Sequence, residues 1–267
     1  MEFKRYKVIN SQLNKLVKYF WVINSSQDLF VNHDLLPVGN IDIILNFSSP
    51  IKYIMDGSRE FTPRGVHFNG IQSRKYGIQQ SGKLNVVGIS FFPTGLYPIL
   101  HIPLSEFTNQ TIELTNINQG LSSALQNRLT SDMPIAKKLD TIEKTLIQFI
   151  KSDYLPPEYI LKVVNNLYVD YTTLELFCNR YGIHKRTLER IFGKYVGIAP
   201  KSFQKISRFQ RVLSKMIHDD NSPNLTKLAV DYDYYDQSHF LKEFKSFTGL
   251  SPLQFISKST SIKKIMN

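Results

Sequence analysis

The 267-residue sequence has little of what would cross-link it, anchor it in a membrane or make it a metalloenzyme. Its one cysteine, Cys178, can form no internal disulfide, which is typical of proteins from a reducing cytosol. No apolar run approaches the roughly 20 residues that a membrane-spanning helix needs. No apolar stretch of the signal-peptide type follows the first seven residues. We therefore expect a cytoplasmic protein with no membrane partner.

Motifs for catalysis and metal binding are also missing. No two histidines are spaced as His-x-His or His-x-x-x-His; the six are His33, His67, His101, His184, His218 and His239. A metal site would need such a cluster with a carboxylate. Neither a Gly-rich phosphate loop nor a serine nucleophile motif is present. We expect no enzyme, no cofactor, no metal and no catalytic residue, with His67 a strand residue and a ligand-binding role its lesser alternative.

What the sequence does contain is a folded-protein composition and an uneven positive charge. It is 42% hydrophobic and 12% aromatic, and its length allows two domains with separate cores. The net charge is +11. From Ile160 onward there are 17 Lys and Arg against 9 Asp and Glu, whereas the preceding residues have 16 against 13. A localised cationic excess favours a polyanion as partner.

A repeat lies in this basic C-terminal part. The first copy has apolar or small residues at helical spacing, followed by a second set: Leu174, Phe177, Cys178 and Tyr181, then Leu188, Phe192, Gly197, Pro200 and Phe203. The first four return 51 residues later as Leu225, Leu228, Ala229 and Tyr232. The others return 52 residues later as Phe240, Phe244, Gly249, Pro252 and Phe255. One structural unit is therefore predicted twice.

Each copy has the pattern of a helix, a tight turn and a second helix. Thr172 with Glu175 predicts a capping box for the first copy, and Asn224 is the N-cap predicted for the second. Gly182 and Asp233 are predicted to form the turns, because both residue types tolerate a left-handed backbone. Since the second helix of each copy is apolar on one side only, the pattern indicates two helix-turn-helix motifs.

These residues resemble the AraC/XylS family of transcription regulators, whose DNA-binding domain holds two such motifs joined by a long helix. The segment from Ala229 to Phe255 is similar to the signature of that family, and the resemblance covers residues 158 to 257. Asp233 stands where the family usually has Gly, and Cys178 where it usually has Ala. Both fit the physical demand of their positions. Residues 201–217 are predicted to form the connecting helix.

The N-terminal half predicts a different architecture. Short apolar runs are separated by turn formers such as 48–50, 56–57, 69–70 and 81–82. The predicted strands are 19–23, 41–47, 51–55, 66–68 and 85–92. They favour an antiparallel sandwich or small barrel. Less specifically, residues 86–97 resemble the strand-to-helix junction of the family's cupin-like effector domains.

Helices follow the strands. We expect helical turns at 95–100 and 104–107, and longer helices at 121–129 and 134–150. The apolar stripe of the last could pair with a second subunit, but packing within the chain is favoured. The fold class is thus α+β, with a barrel domain before an all-α domain. The predicted domains are 1–153 for an effector or oligomerisation domain, 154–158 for a linker and 159–267 for DNA binding.

The second helix of each copy predicts the residues that read DNA. In the first copy the outward residues are Lys185, Arg186, Thr187, Glu189 and Arg190. In the second they are Gln237, Ser238, His239 and Lys242. Arginine suits guanine, glutamine suits adenine and glutamate suits the cytosine amino group. For each residue a solvated or phosphate-contacting role is the alternative.

The function indicated is therefore a sequence-specific transcription regulator. The family resemblance implies activation rather than repression. Double-stranded DNA is the expected partner, and RNA polymerase, a small-molecule effector and a second copy of the chain remain open. A barrel-domain enzyme and an architectural DNA-binding protein are the alternatives. The first lacks a catalytic cluster, and the second would not need a large N-terminal domain.

Overall fold

The computed structural model describes residues 1–55, 59–169, 174–218 and 224–258. Within these ranges the first part has ten strands: β1 (Glu2–Tyr6), β2 (Val17–Asn24), β3 (Leu29–Leu35), β4 (Ile41–Asn46), β5 (Lys52–Met55), β6 (Arg59–Phe61), β7 (His67–Asn69), β8 (Tyr76–Gly82), β9 (Asn85–Phe91) and β10 (Thr111–Glu113). Three α-helices belong to the same part: α1 (Tyr97–Leu100), α2 (Gln119–Arg128) and α3 (Ile135–Phe149). We call residues 1–150 the sheet part.

The strands form two antiparallel sheets. One has the order β1-β2-β9-β4-β7-β10 and the other the order β3-β8-β5-β6. The expected antiparallel N-terminal domain is confirmed, but among the described residues the two sheets are not joined into a closed barrel. The strands β1, β3, β6, β8 and β10 were not predicted, because they carry many polar residues. The turn expected at residues 81–82 lies at the end of β8. Asn69, expected in a turn, is paired with Thr111 in the sheet instead.

Side-chain alternation along β4 separates two cores. Ile41, Ile43 and Leu45 point to the core shared with the helices, and Ile44 points to the core between the sheets. Such alternation follows from the two-residue period of a strand. Asp42 lies on the same face as Ile44, so the space between the sheets also receives a carboxylate.

Helix α3 packs within its own chain. Ile142 and Leu146 are fully buried in the core shared by the sheet and the helices. Its buried face also includes two charged residues. The Glu143 carboxylate accepts hydrogen bonds from the backbone N–H groups of Ile9 and Asn10 at 2.8 and 2.9 Å. Lys138 Nζ donates to the carbonyl of Ser131 at 3.0 Å. Because these charges have partners, the helix tolerates them on its inner face.

The remaining chain, which we call the helical part, has several α-helices among its described residues. They are α4 (Glu158–Val169), α5 (Leu174–Tyr181), α6 (Lys185–Tyr195), α7 (Pro200–His218), α8 (Leu225–Asp231) and α9 (Gln237–Thr248). Residues 252–258 are helical as well. We call α5 with α6 module one and α8 with α9 module two. Helix α7 is the predicted connecting helix.

The sheet part and the helical part share one continuous apolar core. The ring of Tyr195 in α6 meets Tyr97 of α1 edge-on, with 4.7 Å between the ring centroids. Thr108 Oγ1 donates to the carbonyl of Gly197 at 2.5 Å. Gln210 of α7 hydrogen-bonds to the carbonyl of Pro37. Module one and α7 are therefore both docked on the sheet part.

Segment 154–158, expected as a linker, begins in a short 3-10 helix, Ser152–Tyr154, that lies against α1. The ring of Tyr154 lies 4.4 Å from that of His101, measured between centroids. Lys151 donates a backbone hydrogen bond to the carbonyl of Pro98 at 3.1 Å. This connection is packed against the sheet part.

Candidate nucleic-acid interface

The start of module two is formed as the sequence predicts. Asn224 Oδ1 accepts a hydrogen bond from the backbone N–H of Lys227 at 3.0 Å and so caps α8. Such a cap satisfies a donor that has no partner inside the helix. The equivalent cap expected from Thr172 lies outside the described residues.

The two turns are also formed as predicted. Gly182 has a φ of 61° and Asp233 a φ of 53°, so both take the left-handed conformation. Just after them, the backbone N–H groups of Ile183 and Tyr234 each donate a 2.9 Å hydrogen bond to the carbonyl five residues earlier. These bonds close the turn between the helices of each module. Cys178 and Ala229, the two acceptors, supply the small side chains that the close approach requires.

The inner faces of α6 and α9 are apolar and buried. Leu188 and Phe192 of α6 are buried, and Ile191 is partly so. Phe240, Phe244 and Phe247 of α9 are buried as well. Burying one stripe of a helix fixes which residues face solvent. The predicted orientation of both helices is therefore confirmed.

The outer face of α6 is polar and open to solvent. Lys185, Arg186, Glu189 and Arg190 are exposed, and Thr187 is half-buried. His184 caps the helix, because its Nδ1 accepts from the backbone N–H of Arg186 at 3.3 Å. With these side chains on one surface, α6 presents two guanidinium groups one helical turn apart.

On α9 three of the four predicted residues are exposed: Gln237, Ser238 and Lys242. Gln237 Oε1 accepts a hydrogen bond from Thr226 of α8 at 3.1 Å. His239 is placed differently. Its Nδ1 accepts from the backbone N–H of Tyr235 at 3.3 Å, and its ring meets the Tyr234 ring edge-on. The structure thus holds His239 against its own module.

A buried ion pair not predicted from the sequence fixes α9 on α7. Arg208 makes hydrogen bonds to both oxygens of the Glu243 carboxylate, and its Nη1 donates to the carbonyl of Asp233 at 2.9 Å. The guanidinium also lies 4.0 Å from the centroid of the Tyr234 ring. No sequence pattern pairs residues 35 positions apart, so only the tertiary structure reveals this contact.

Helix α7 supports both modules. Its buried residues include the four predicted ones, Phe203, Ile206, Leu213 and Met216, and also Phe209 and Val212. Phe203 packs against Phe192 of module one, and Phe209 packs against Phe244 of module two. With 19 residues, α7 is about 28 Å long. Consecutive major grooves on one side of a duplex are about 34 Å apart.

A row of polar side chains crosses the six-stranded sheet on the face toward the other sheet. Ser90, Asp42, Asn69 and Thr111 are direct partners on β9, β4, β7 and β10. Asn40 donates to Ser90 Oγ at 2.7 Å and to Asp42 at 3.0 Å. Burial raises the pKa of Asp42, and hydrogen bonds from its neighbours oppose the rise. Because burying a polar group costs free energy unless it is hydrogen-bonded, the hydrogen bonds along the row stabilise it.

His67 lies next to this row. Its Nδ1 faces the carbonyl of Gly65 at 3.2 Å, and its Nε2 lies 2.8 Å from the hydroxyl of Tyr53. Since a carbonyl only accepts, Nδ1 carries the proton and Nε2 accepts from Tyr53. Burial lowers the pKa of His67 to about 4 and raises that of Tyr53. Both groups are therefore neutral at physiological pH.

Two further observations concern metal binding and membrane-spanning helices. Among the described residues, no group of three or more His, Cys, Asp and Glu side chains could hold a metal ion. Within those residues, no helix is both long and apolar enough to cross a bilayer.

Comparison with known families gives two matches. Residues 177–258 match a family described as a helix-turn-helix domain, and residues 10–113 match a domain of unknown function, DUF6597. No curated protein sequence matches the chain at a significant level. The helix-turn-helix match begins within α5 and extends past α9, so it covers both modules except the first residues of α5.

Solved structures of similar proteins include the apo form of a ToxT variant from Vibrio cholerae (15% identity, 89% of this chain and 96% of that chain, TM-score 0.47). A DNA-binding transcriptional dual regulator from Escherichia coli is 20% identical over 39% of this chain and 90% of that chain, with a TM-score of 0.31. The AraC-like activator CuxR is 16% identical over 80% and 85%, with a TM-score of 0.26. At these TM-scores the assignment rests on the family match and on the repeat.

The fold and the site define a DNA-binding transcription regulator with two helix-turn-helix modules behind an antiparallel sheet domain. Its doubled module is similar to the DNA-binding domain of AraC/XylS regulators, and the helix-turn-helix family match lies over that module.

Proposed function

We propose that one copy of the chain binds an asymmetric DNA site of about two helical turns, with α6 and α9 in successive major grooves. The observation that carries this proposal is that α6 and α9 bury their apolar faces against one helix, α7, while their polar faces remain open to solvent. The proposed domains are 1–153 for the effector or oligomerisation domain, 154–158 for the linker and 159–267 for DNA binding.

Roles for the exposed residues of α6 follow from their hydrogen-bonding groups. Arg186 and Arg190 each grip a guanine through O6 and N7, and Glu189 accepts from a cytosine amino group. Lys185 and Thr187, nearer the start of the helix, contact the phosphate backbone or base edges.

On α9, Gln237 suits adenine, because an amide can donate and accept at the same base edge. Ser238 and Lys242 contact the DNA from the same face. His239 is assigned chiefly to positioning, since its ring is held by Tyr234 and by the backbone of Tyr235.

The sheet part is proposed to control this binding. A small molecule bound between the two sheets, against the row of Ser90, Asp42, Asn69 and Thr111, would change the packing of that core. The docking of α6 on the sheet part, through Tyr195 with Tyr97 and Gly197 with Thr108, offers a route to module one. The effector would then shift the population of chains able to bind DNA. Activation of transcription, with contact to RNA polymerase, is the proposed outcome.

The test is selection of sites from random duplex DNA by the full chain, followed by footprinting of the selected duplex. We expect protection in two successive major grooves on one face of the DNA by a monomer. The logarithm of the affinity should also fall linearly with the logarithm of the salt concentration, because Lys and Arg release counterions from the DNA. Protection of a single groove would contradict the proposal.

Substitution of Arg186 by alanine sharpens the test. Loss of a bidentate guanine contact should weaken binding by about 1–3 kcal/mol and relax the preference at one base pair. The matched control is Lys144→Ala, an exposed cation of α3 that pairs with Asp140. That control should leave DNA affinity unchanged. A uniform loss over all sequences for Arg186→Ala would mean a phosphate contact instead.

A further inference from the structure

The turns of the two modules differ in length by one residue. Each begins with a left-handed residue, Gly182 or Asp233. Each then has a residue, Ile183 or Tyr234, whose N–H closes the turn onto the preceding helix at 2.9 Å. Up to this point the two turns correspond one to one, with the repeat offset of 51 residues.

The difference comes immediately afterwards. In module one the next residue, His184, is already the N-cap of α6. In module two the N-cap of α9 is Asp236, and Tyr235 lies between it and the turn-closing Tyr234. From here the repeat offset is 52 residues, so Tyr235 is the added residue.

The two neighbouring tyrosines have opposite environments. Tyr234 is buried, beneath the guanidinium of Arg208 and against the ring of Phe240. Tyr235 is 94% exposed. Its backbone is nevertheless fixed, because its N–H donates to His239 Nδ1 and the following Asp236 caps the helix through the N–H of His239 at 2.6 Å. An aromatic ring thus projects into solvent from a held backbone.

The position of Tyr235 indicates what it meets. A recognition helix enters the major groove with its N-terminal end, and the residues just before that end pass the sugar-phosphate backbone at the groove edge. The carboxylates of Asp233 and Asp236 flank this point and are repelled by phosphates. A neutral phenol hydroxyl can donate to a phosphate oxygen without a positive charge.

We propose that Tyr235 contacts the DNA backbone beside the groove entered by α9, with its ring against a deoxyribose and its hydroxyl donating to a phosphate oxygen. This contact rests on DNA binding by module two. It belongs to module two alone, because module one has no residue at this position. It raises affinity without reading sequence, since phosphates carry no base identity.

The test compares Tyr235→Ala and Tyr235→Phe in the full chain, on a fluorescently labelled duplex selected by the wild-type chain and on single-base variants of that duplex. Tyr235→Phe should weaken binding about threefold to tenfold, and Tyr235→Ala at least about tenfold, as expected for losing a hydrogen bond to a charged group and then the ring contact. The loss should be equal on every duplex. The thermal unfolding midpoint should not change, because the side chain is exposed.

Salt dependence separates this neutral contact from a cationic one. Tyr235→Ala should leave the slope of log affinity against log salt unchanged, whereas Lys242→Ala should reduce its magnitude by about 1. The control is Phe30→Ala, which removes an exposed ring from β3 in the sheet part and should not alter affinity.

Three outcomes would overturn the contact: no loss for Tyr235→Ala while the wild type binds, a loss confined to changes at one base pair, or an equal loss for Phe30→Ala. Failure of the wild-type chain to bind any duplex would instead overturn DNA binding itself. The two failures are therefore distinguishable.

Discussion

The two modules share one design, but different parts of the molecule hold them. Module one rests on the sheet part, through the edge-on contact of Tyr195 with Tyr97 and the hydrogen bond from Thr108 to Gly197. Module two is held by α7, through the ion pair of Arg208 with Glu243 and aromatic packing. The sheet part can therefore act on module one directly, whereas module two follows the connecting helix.

This difference gives the two modules different routes by which a change in the sheet part could reach them. A change in the sheet part reaches α6 through residues of the second half of that helix and the turn after it, which lie away from Arg186. The buried ion pair instead ties α9 to α7, which Gln210 joins to the sheet part. The proposed regulator would then adjust α6 directly and α9 through the connecting helix.

The largest expected effect comes from breaking the ion pair under module two. The carboxylate of Glu243 is 5% exposed, so Arg208→Met leaves it buried without its partner. Removing one member of a buried pair destabilises by roughly 3–5 kcal/mol. Chemical unfolding should show this loss, and footprinting should show weaker protection at the groove of α9 than at that of α6.

Its control is the double variant Arg208→Met with Glu243→Leu, which removes both charges and should recover much of the stability. If protection at the two grooves weakened equally, the separate support of module two would be wrong.

Acid should destabilise the sheet part, on which module one rests, through protonation of His67. Its pKa in the folded chain is about 4, below the ordinary value of about 6.5, so the unfolded chain binds the proton more readily. The contribution to stability is complete above pH 6.5 and is lost as the pH falls towards 4, by up to roughly 3 kcal/mol. The raised pKa of Asp42 acts in the opposite direction.

His67→Gln isolates the histidine, because Asp42 is present in both proteins and the glutamine can still accept from Tyr53. Unfolding free energy measured between pH 7 and pH 4.5 should fall less in this variant than in the wild type. Module one, which rests on the sheet part, should lose DNA protection first. Parallel pH profiles of the two proteins would contradict the assignment.

A smaller effect is expected at two equivalent glycines of the repeat, Gly197 and Gly249. Both have a positive φ, 99° and 76°, so alanine is strained at each by about 1 kcal/mol. A Cβ at Gly197 would also lie 3.0 Å from the carbonyl oxygen of Leu104, in the sheet part. At Gly249 the neighbour is the flexible end of Lys75, at 3.3 Å.

Gly197→Ala should therefore destabilise by about 1–3 kcal/mol, and Gly249→Ala by less. Thermal unfolding measures the difference between the two variants. In the Gly197 variant, an effector bound in the sheet part should change DNA affinity less than it does in the wild type. Equal destabilisation would show that the contact with Leu104 does not matter.

Much of the helical part could be predicted because its signals are local. The i, i+3, i+4, i+7 spacing, the cap at Asn224 and the turn residues Gly182 and Asp233 all act within a few residues of themselves. Because residues such as Phe192 and Phe244 are predicted to face inward, the residues on the opposite face of each helix are predicted to face solvent. Prediction was poorer for β3 and β10, whose stability comes from partners distant in the sequence.

The candidate site could also be predicted only as far as local signals determine it. The exposed residues of α6 and α9 follow from helix periodicity, but the half-buried setting of His239 depends on Tyr234 and on the preceding turn. The buried charges of Lys138 and Glu143 sit on an amphipathic helix, where a pattern predicts solvent. Their partners, Ser131 and the start of the chain, are contacts that no periodicity encodes.

The sequence by itself determined the doubled helix-turn-helix, the polar outer faces of α6 and α9 and the antiparallel character of the first part, because periodicity, turn chemistry and charge are properties of short segments. Only the tertiary structure decided which part holds each module, where the buried charges find partners and that Tyr235 stands alone in solvent. Those features depend on contacts between residues far apart in the chain, and such contacts exist only once the core has formed.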